Sequence, residues 1–387
     1  MDYDCFAVKV QGYNHILKNL VCQDSVKCFS DDLFNIIAVA DGHGSAQYFR
    51  SEKGADFAVS SAILKMTEFI KEVSVKELLK EKNMEYRIKQ LAKSIVTEWH
   101  LAVRNDFLKE PFKSEELDKV PNKYLNDYVK GIHVEKAYGT TLIVVAECES
   151  YGVGLQIGDG RCITLYEDGN MTEDIPWDDS CHLNQCTSIC DADAVDEFRF
   201  HIWIGNHPIA FMICSDGLDD SYGVFLHDYF RIVFLELIDG DFNKKVQELG
   251  KKLSVISQNG SKDDVSIAGL VNTRKVEKIR ALLELDIQIA NIDKKIISAQ
   301  NRQNDLKYIF SKAERVYNKT LKLSVQSEKD DKLDKYIEVK KELDEIMDTI
   351  VNYKSERENL LQLRKKHLGV DNSVVICPEC GHEINFK

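Results

Sequence analysis

Short apolar runs alternate with helical patterns over the first 270 residues of the chain. Five runs have the length and the Val, Ile and Ala content of buried strands, and three longer segments have the apolar spacing of helices. The predicted strands are 35–40, 141–146, 152–157, 209–214 and 265–271, and the predicted helices are 51–73, 85–108 and 242–256. This region therefore mixes strands and helices.

The pattern changes near residue 271. Residues 271–368 contain neither Gly nor Pro, and their apolar residues recur every three or four positions on an otherwise charged background. We expect two long helices, each about 60–70 Å in length, separated by a turn at the polar stretch 324–332, with one continuous helix as the alternative. Helices of this length need a partner for their apolar stripe. The predicted units are 1–272, 273–369 and 370–387.

Charge and composition exclude several classes of protein. The net charge is −13, and because residues 274–387 carry +3, residues 1–273 carry −16. Such an acidic region is a poor nucleic-acid binder, and the tail lacks a basic stripe with interleaved aromatic residues. Eleven scattered cysteines indicate free thiols in a reducing compartment. No signal peptide or membrane span is indicated, so we expect a soluble cytoplasmic protein.

Acidic residues follow or precede several of the apolar runs. The clusters are CQDS with Asp24, ADGHGS with Asp41, IGDGR with Asp159, SDGLDD with Asp216 and Asp220, and SKDDVS with Asp263 and Asp264. A single Asp-Gly pair indicates only a turn. Aspartates gathered at strand ends, however, match the oxygen ligands that Mg²⁺ and Mn²⁺ prefer, and two such ions can clamp a phosphoryl group.

The order of these clusters resembles that of the metal-dependent, type 2C-like Ser/Thr protein phosphatases, especially a bacterial branch. The matching segments are GYNHILKNLVCQDS, VADGHGSAQYFRSEKGA, YGTTLIVV, LQIGDGR, ICSDGLDDSYG and KDDVSIAGLV. The resemblance covers about the first 270 residues. It implies an α+β fold, an αββα sandwich, which the long α-helical hairpin or coiled coil would follow.

The resemblance also implies roles for individual residues. Asp41 would bridge two Mn²⁺ or Mg²⁺ ions, and Gly42 would contribute its backbone carbonyl. Asp24 would bind or orient one ion through water, and Asp216 and Asp263 would hold the other. Asp159 and Asp220, together with Asp216, match a weaker third metal site. His43 matches the general acid for the leaving alkoxide. The implied reaction is hydrolysis of phosphoserine or phosphothreonine in a phosphoprotein substrate by an activated water.

Three positions depart from the family pattern. Gln23 stands where many members have an acidic residue, and His15 lies near the place of their phosphate-binding arginine. Asp264 replaces the usual asparagine after the last metal aspartate. For both His15 and His43 the alternative is an ordinary packed or surface role. None of the three departures removes a core metal ligand.

The C-terminus carries one half of a zinc-ribbon pattern. Cys377 and Cys380 have the spacing of a zinc knuckle, and His382 offers a third ligand. A second copy of the chain would complete a four-sulfur site, which favours a homodimer or a partner protein bound through the helical tail. A metal-free terminus is the alternative. Three further cysteines, Cys181, Cys186 and Cys190, are irregularly spaced and are predicted to be free thiols.

Two functional hypotheses follow from these features. The first is an active metal-dependent phosphatase, and the second is a catalytically inactive scaffold that assembles partners through its coiled coil. An inactive relative is expected to have lost at least one metal ligand. The aspartate set is complete in this chain, and the sequence therefore favours the enzyme.

Overall fold

The structure, a computed structural model, describes residues 2–80, 83–181, 186–320 and 326–369 and the backbone pairs 375–376 and 383–384. The chain divides into two compact units, Met1–Ile279 and Arg280–Lys387. The strands are β1 (Asp4–Val10), β2 (Ser25–Ser30), β3 (Phe34–Ala40), β4 (Leu142–Cys148), β5 (Gly152–Ile157), β6 (Arg161–Leu165), β7 (Met171–Thr172), β8 (Arg199–Trp203), β9 (Ala210–Cys214), β10 (Val265–Val271), β11 (Val375–Ile376) and β12 (Glu383–Ile384).

Helices fill most of the remaining described chain. They are α1 (Tyr13–Lys18), α2 (Ser51–Glu72), α3 (Val75–Leu78), α4 (Asn83–Lys109), α5 (Ser114–Leu117), α6 (Asn122–Val129), α7 (Ala194–Glu197), α8 (Asp216–Tyr222), α9 (Leu226–Leu237), α10 (Phe242–Asn259), α11 (Thr273–Lys278), α12 (Arg280–Thr320) and α13 (Gln326–His367). Two short 3₁₀ helices, Val134–Tyr138 and Gly223–Phe225, complete the set.

Two antiparallel sheets form the centre of the first unit. Within the described residues one sheet has the strand order β1-β10-β9-β6-β7 and the other β2-β3-β4-β5-β8. Successive residues of a strand face opposite sides of its sheet, and β3 uses both sides. Ile37 and Val39 pack between the sheets, whereas Ile36 and Ala38 face the helical side. A strand that is buried on both faces reads as a continuous apolar run.

Helices cover both outer faces of the sheet pair. Helix α2 packs on β2, β3 and β4, and α4 packs on α2, while α10 lies on β1 and β10 of the other sheet. The α2–α4 contact includes Trp99, which is fully buried and donates a hydrogen bond from Nε1 to the carbonyl of Gly54 at 2.9 Å. The layers therefore run helix, sheet, sheet, helix, which confirms the predicted αββα sandwich.

The second unit is an antiparallel helix pair, which confirms the predicted hairpin and not the single helix. Helices α12 and α13 pack along their length and bury Ile292, Ile296 and Ile350. Ion pairs join the two helices, with Arg357 Nε 2.5 Å from Asp293 Oδ1 and a second pair between Arg364 and Asp286. The predicted turn 324–332 extended too far, because α13 already begins at Gln326. None of the helices in the described ranges is long and apolar enough to cross a membrane.

Candidate metal-binding active site

The predicted aspartates meet at one end of the two-sheet core. Asp41 follows the last residue of β3, Asp216 begins α8 just after β9, and Asp263 lies just before β10. The pairing of Ser25 with Ala40 and of Ile267 with Cys214 brings these strand ends together. The result is a cavity of about 330 Å³, lined by His15, Gln23, Asp41, Gly42, His43, Gly44, Thr141, Asp159, Cys186, Asp216, Asp220, Asp263 and Asp264.

Asp24 lies beneath this cavity and is 1% exposed. Its Oδ2 accepts a hydrogen bond from Ser215 Oγ at 2.9 Å, whereas its Oδ1 is buried and has no hydrogen-bond partner. Burial, together with the nearby charges of Asp264 and Asp216, raises the pKa of Asp24 to about 7, although the hydroxyl groups of Ser266 and Ser215 oppose this shift. A buried carboxylate with a free oxygen is costly unless a cation compensates it.

The carboxyl groups of Asp41 and Asp216 lie close together. Burial raises the pKa of Asp41 well above its ordinary value, and the charges of Asp24 and Asp216 act in the same direction. Burial also raises the pKa of Asp216, to about 6. The two carboxyl groups lie close enough for each to affect the pKa of the other, and no hydrogen-bond donor reaches the buried Asp216 Oδ1.

The backbone at Asp41 is held from several directions. Its carbonyl accepts hydrogen bonds from Thr140 Oγ1 at 2.7 Å and from the Thr141 N–H at 2.8 Å, and its own N–H donates to Thr141 Oγ1 at 3.0 Å. The next residue must be glycine, because a Cβ at Gly42 would lie 2.7 Å from the carbonyl oxygen of Gln23. The DG pair of the sequence is therefore a rigid corner of the cavity.

A second acidic group forms the rim of the cavity. Burial raises the pKa of Asp159, with the charge of Asp220 as a further cause, and burial likewise raises the pKa of Asp220. Asp219 instead forms an ion pair with Arg161, whose Nε donates to Asp219 Oδ2 at 2.8 Å. The guanidinium of Arg161 also lies 4.0 Å from the ring centroid of Trp177.

His43 is enclosed at the side of the cavity. Its ring packs edge-on against Tyr48 with 4.7 Å between the ring centroids, and Cys186 Sγ lies 4.0 Å from its Nδ1. Burial lowers the pKa of His43 to about 4, although the nearby Asp191 opposes this shift. The imidazole is therefore neutral at neutral pH in the metal-free protein.

His15 lies beside Asp264 in the lining of the cavity. His15 Nδ1 lies 3.0 Å from Asp264 Oδ2, and the same carboxylate accepts the N–H groups of Gly12 at 2.5 Å and Gln23 at 2.6 Å. The Gln23 side chain donates to Ser51 Oγ at 2.7 Å. Asp264 thus contacts both of the other departures from the family pattern, His15 and Gln23.

The chemistry of the cavity suits hard divalent cations. Across the described ranges no group of three or more His, Cys, Asp or Glu side chains is placed so that it could hold a metal ion as it stands. The fit is instead indicated by two buried carboxylate oxygens without hydrogen-bond partners, Asp24 Oδ1 and Asp216 Oδ1. Carboxyl groups with pKa values raised by burial and by one another are those that a bound cation would stabilise in the ionised form.

Comparison with known proteins decides the family. The sequence model of the family described as "Protein phosphatase 2C" matches residues 11–249. The chain belongs to the protein phosphatase 2C family. Its membership confirms the resemblance of the sequence motifs and makes the chain a protein phosphatase. No curated protein sequence matches the chain.

Solved structures of protein phosphatases resemble the chain at low sequence identity. The serine/threonine phosphatase Stp1 from Staphylococcus aureus is 16% identical with a TM-score of 0.45, over 70% of this chain and 94% of that one. PstP/Ppp from Mycobacterium tuberculosis is 15% identical with a TM-score of 0.40, over 70% and 98%. The catalytic domain of PstP in complex with 2 manganese ions is 16% identical with a TM-score of 0.41, over 70% of this chain and 98% of that one.

The site of this protein phosphatase 2C member contains residues that the sequence did not assign. Thr141 and Ser215 lie within the matching segments YGTTLIVV and ICSDGLDDSYG but were given no role, and Cys186 was missed because it lies in a loop outside these segments. Cys186 was expected to be a free thiol, and Cys181, Cys186 and Cys190 are indeed free, but Cys186 also lines the cavity. The predicted zinc ligands Cys377, Cys380 and His382 lie outside the described residues.

Proposed function

We propose that this protein hydrolyses phosphoserine and phosphothreonine in phosphoproteins, with Mn²⁺ or Mg²⁺ ions held by the acidic cavity. The observation that carries the proposal is the pair of buried carboxylate oxygens, on Asp24 and Asp216, that have no hydrogen-bond partner. They lie beside Asp41, whose pKa is raised by the same burial and charges. This arrangement is unfavourable without cations and favourable with them.

The residues assigned to the metal ions are those with oxygen donors at the cavity. Asp41, the Gly42 carbonyl, Asp24, Asp216 and Asp263 would hold two ions, and the rim carboxylates Asp159 and Asp220, together with Asp216, would hold a third. When bound, such ions lower the pKa of a coordinated water and neutralise charge on the phosphoryl group.

The protein's own residues would orient the substrate and transfer the proton. His15 is a second histidine in the lining of the cavity, and its ring could donate a hydrogen bond to an incoming phosphate. The negative charge of the phosphate would raise the pKa of His43 from about 4. His43 would then pass its ring proton to the departing serine or threonine oxygen, while Thr140 and Thr141 hold the Asp41 backbone in place.

Hydrolysis of para-nitrophenyl phosphate and of phosphopeptides tests this proposal. With Mn²⁺ we expect turnover that chelator removes, a preference for phosphoserine and phosphothreonine over phosphotyrosine peptides, and a loss of at least about 100-fold in Asp216→Asn. Asp239→Asn, at an exposed loop position, is the matched control and should retain full activity. Equal turnover in chelator would refute the metal mechanism. Absence of turnover by the metal-loaded wild type would favour the inactive scaffold.

The C-terminal unit carries separate proposals. We propose that the protein acts in the cytoplasm and that residues 1–272 form the catalytic domain, residues 273–369 the hairpin and residues 370–387 a zinc knuckle. In this knuckle Cys377, Cys380 and His382 would bind Zn²⁺ between two copies of the chain. What supports this is the Cys spacing and the long apolar seam between α12 and α13. Native mass measurement with Zn²⁺, with chelator and with Cys377→Ser tests it, and a monomer in every sample would end it.

A further inference from the structure

Cys5 and Cys28 lie on the two edge strands at the same side of the sandwich. Cys5 belongs to β1, the first strand of one sheet, and Cys28 belongs to β2, the first strand of the other. Although β1 and β2 are not hydrogen-bonded as a ladder, they pack against each other. The two thiols thus lie on different sheets but on neighbouring strands.

The alternation of side chains aims both thiols into the gap between the sheets. Tyr3, Cys5 and Ala7 alternate along the start of the chain and pack against the core between the sheets. Val26 packs against the same core, and Cys28, two residues later on β2, shares its face. The two thiols lie close enough at the edge of this gap for each to shift the pKa of the other.

Exposure and acidity distinguish Cys28 from the other thiols of the described chain. Cys28 alone among the described cysteines is exposed, and Cys5 is half-buried behind it. The neighbouring thiol of Cys5 lowers the pKa of Cys28 to about 7, although burial opposes this shift. By contrast, burial raises the pKa of Cys22 to about 12. The thiolate is the reactive form of cysteine, so Cys28 is the thiol that should react first.

We propose that Cys5 and Cys28 are a redox-active dithiol, which a peroxide converts into a disulfide that links β1 to β2. The Cys28 thiolate attacks one oxygen of hydrogen peroxide, an S–O bond forms, the O–O bond breaks and the leaving hydroxide becomes water. Cys5 then attacks the sulfur of this sulfenic acid. The S–S bond forms as the S–O bond breaks, and the Cys5 proton leaves with the hydroxyl as a second water. Two thiols lose two electrons in total and one peroxide is reduced.

The link would join the two strands that lead into the acidic cavity. Strand β1 is followed by Gly12, whose N–H donates to Asp264, and β2 begins directly after Asp24. A disulfide between Cys5 and Cys28 closes the intervening chain into a loop, which reduces the freedom of the unfolded state. The oxidised protein should therefore melt at a higher temperature than the reduced protein.

Peptide mapping tests the link directly, in the full chain with Cys377→Ser and Cys380→Ser to remove the thiols of the C-terminal pair. Trypsin places Cys5 in a peptide that ends at Lys9, Cys22 in residues 19–27 and Cys28 in residues 28–50. After peroxide and alkylation we expect the first peptide joined to 28–50, lighter by two hydrogens than the sum of both. A link to 19–27, or no link at all, overturns the proposal.

Single variants separate the two chemical steps. In Cys5→Ser, Cys28 should stop at the sulfenic acid and react with dimedone, and in Cys28→Ser, Cys5 should remain alkylatable after peroxide. Cys22→Ser is the matched control and should form the same linked peptide as its parent. Before oxidation, iodoacetamide at pH 7 should label Cys28 roughly tenfold faster than Cys22 or more. Equal labelling rates, or no dimedone adduct in Cys5→Ser, would contradict the proposal.

Discussion

His15 Nδ1 lies 3.0 Å from Oδ2 of Asp264, at the wall of the acidic cavity. The carboxylate of Asp264 also accepts the backbone N–H groups of Gly12 and Gln23. Since both oxygens are engaged, this carboxylate joins β1, α1 and the segment before Asp24 into one assembly. The histidine that stands near the family's arginine position is thus held by the aspartate that stands at its asparagine position.

Asp264→Asn should weaken this assembly. An amide has one oxygen, so its NH₂ group must face one of the two backbone N–H donors, and we expect a loss of about 1–3 kcal/mol in the free energy of unfolding. The KM for para-nitrophenyl phosphate should rise with it, because His15 loses its charged partner. Urea unfolding and steady-state kinetics measure the two effects, with Asp239→Asn as control. Unchanged stability would show that the carboxylate contacts contribute nothing.

Removal of the Asp216 carboxyl group, a proposed metal ligand, should stabilise the metal-free protein. The folded pKa of Asp216 is raised, so its ionised form destabilises the fold at any pH above its unfolded pKa. Asp216→Asn in chelator should therefore gain about 1 kcal/mol or more in the free energy of unfolding. Mn²⁺ at 100 times its Kd should stabilise the wild type by about 2.7 kcal/mol and the variant by less. A variant less stable than wild type in chelator would contradict this electrostatic account.

The pair formed by His207 and Glu147 should make stability depend on pH. His207 Nδ1 lies 2.6 Å from Glu147 Oε1, and this hydrogen bond raises the pKa of His207. Its contribution is complete below the unfolded pKa of about 6.5 and is lost as pH rises through the folded pKa. Burial raises the pKa of Glu147, so the ionisation of Glu147 also lowers the stability of the fold as pH rises. Nearby Lys275 opposes the charged histidine.

The variant His207→Gln isolates this contribution. Urea unfolding of wild type and variant should differ by about 1 kcal/mol at pH 6, and the difference should shrink towards zero above the folded pKa of His207. The metal concentration must be the same in all samples. A difference that does not change between pH 6 and pH 9 would show that the imidazole acts by packing alone.

Gly54, the single glycine of α2, should not tolerate a side chain. A Cβ at this position would overlap the carbonyl oxygen of Tyr138, and the Gly54 carbonyl accepts the Trp99 hydrogen bond. Gly54→Ala must push the 3₁₀ helix away from α2, at a cost of about 2–4 kcal/mol. Gly44→Ala is the control, since its Cβ would lie 3.7 Å from the nearest atom, Gln23 Oε1. Equal thermal midpoints for both variants would contradict the overlap.

The strands that the sequence predicted are those buried on both faces. The run 265–271 matches β10, and 35–40 and 152–157 match β3 and β5 within one residue, since continuous apolar composition marks such strands. The edge strands β1 and β2 were not predicted. Lys27 lies on the outward face of β2 and Lys9 lies near the end of β1, and an edge strand that is only half covered lacks the continuous apolar signal.

The same limit applies to the candidate site. Aspartates at the ends of predicted strands could be found from the sequence, because the strand ends themselves were visible. The partners of those aspartates could not. Ser215 reaches Asp24 across 191 residues of chain, and Cys186 approaches His43 from a loop 143 residues away. Such contacts depend on how the sheets pair, which no local pattern encodes.

The three tryptophans, Trp99, Trp177 and Trp203, all belong to the first unit, and α12 and α13 contain none. Tryptophan emission, excited beyond the absorption of tyrosine, therefore reports on the phosphatase unit alone, whereas far-ultraviolet ellipticity also includes the 41 and 42 helical residues of the hairpin. A gap between melting curves from the two signals would measure the stability of the hairpin without dividing the chain. Trp177 adds a third reading: it stacks on Arg161, which binds Asp219 at the cavity rim, so its emission offers a label-free titration of cations entering the site.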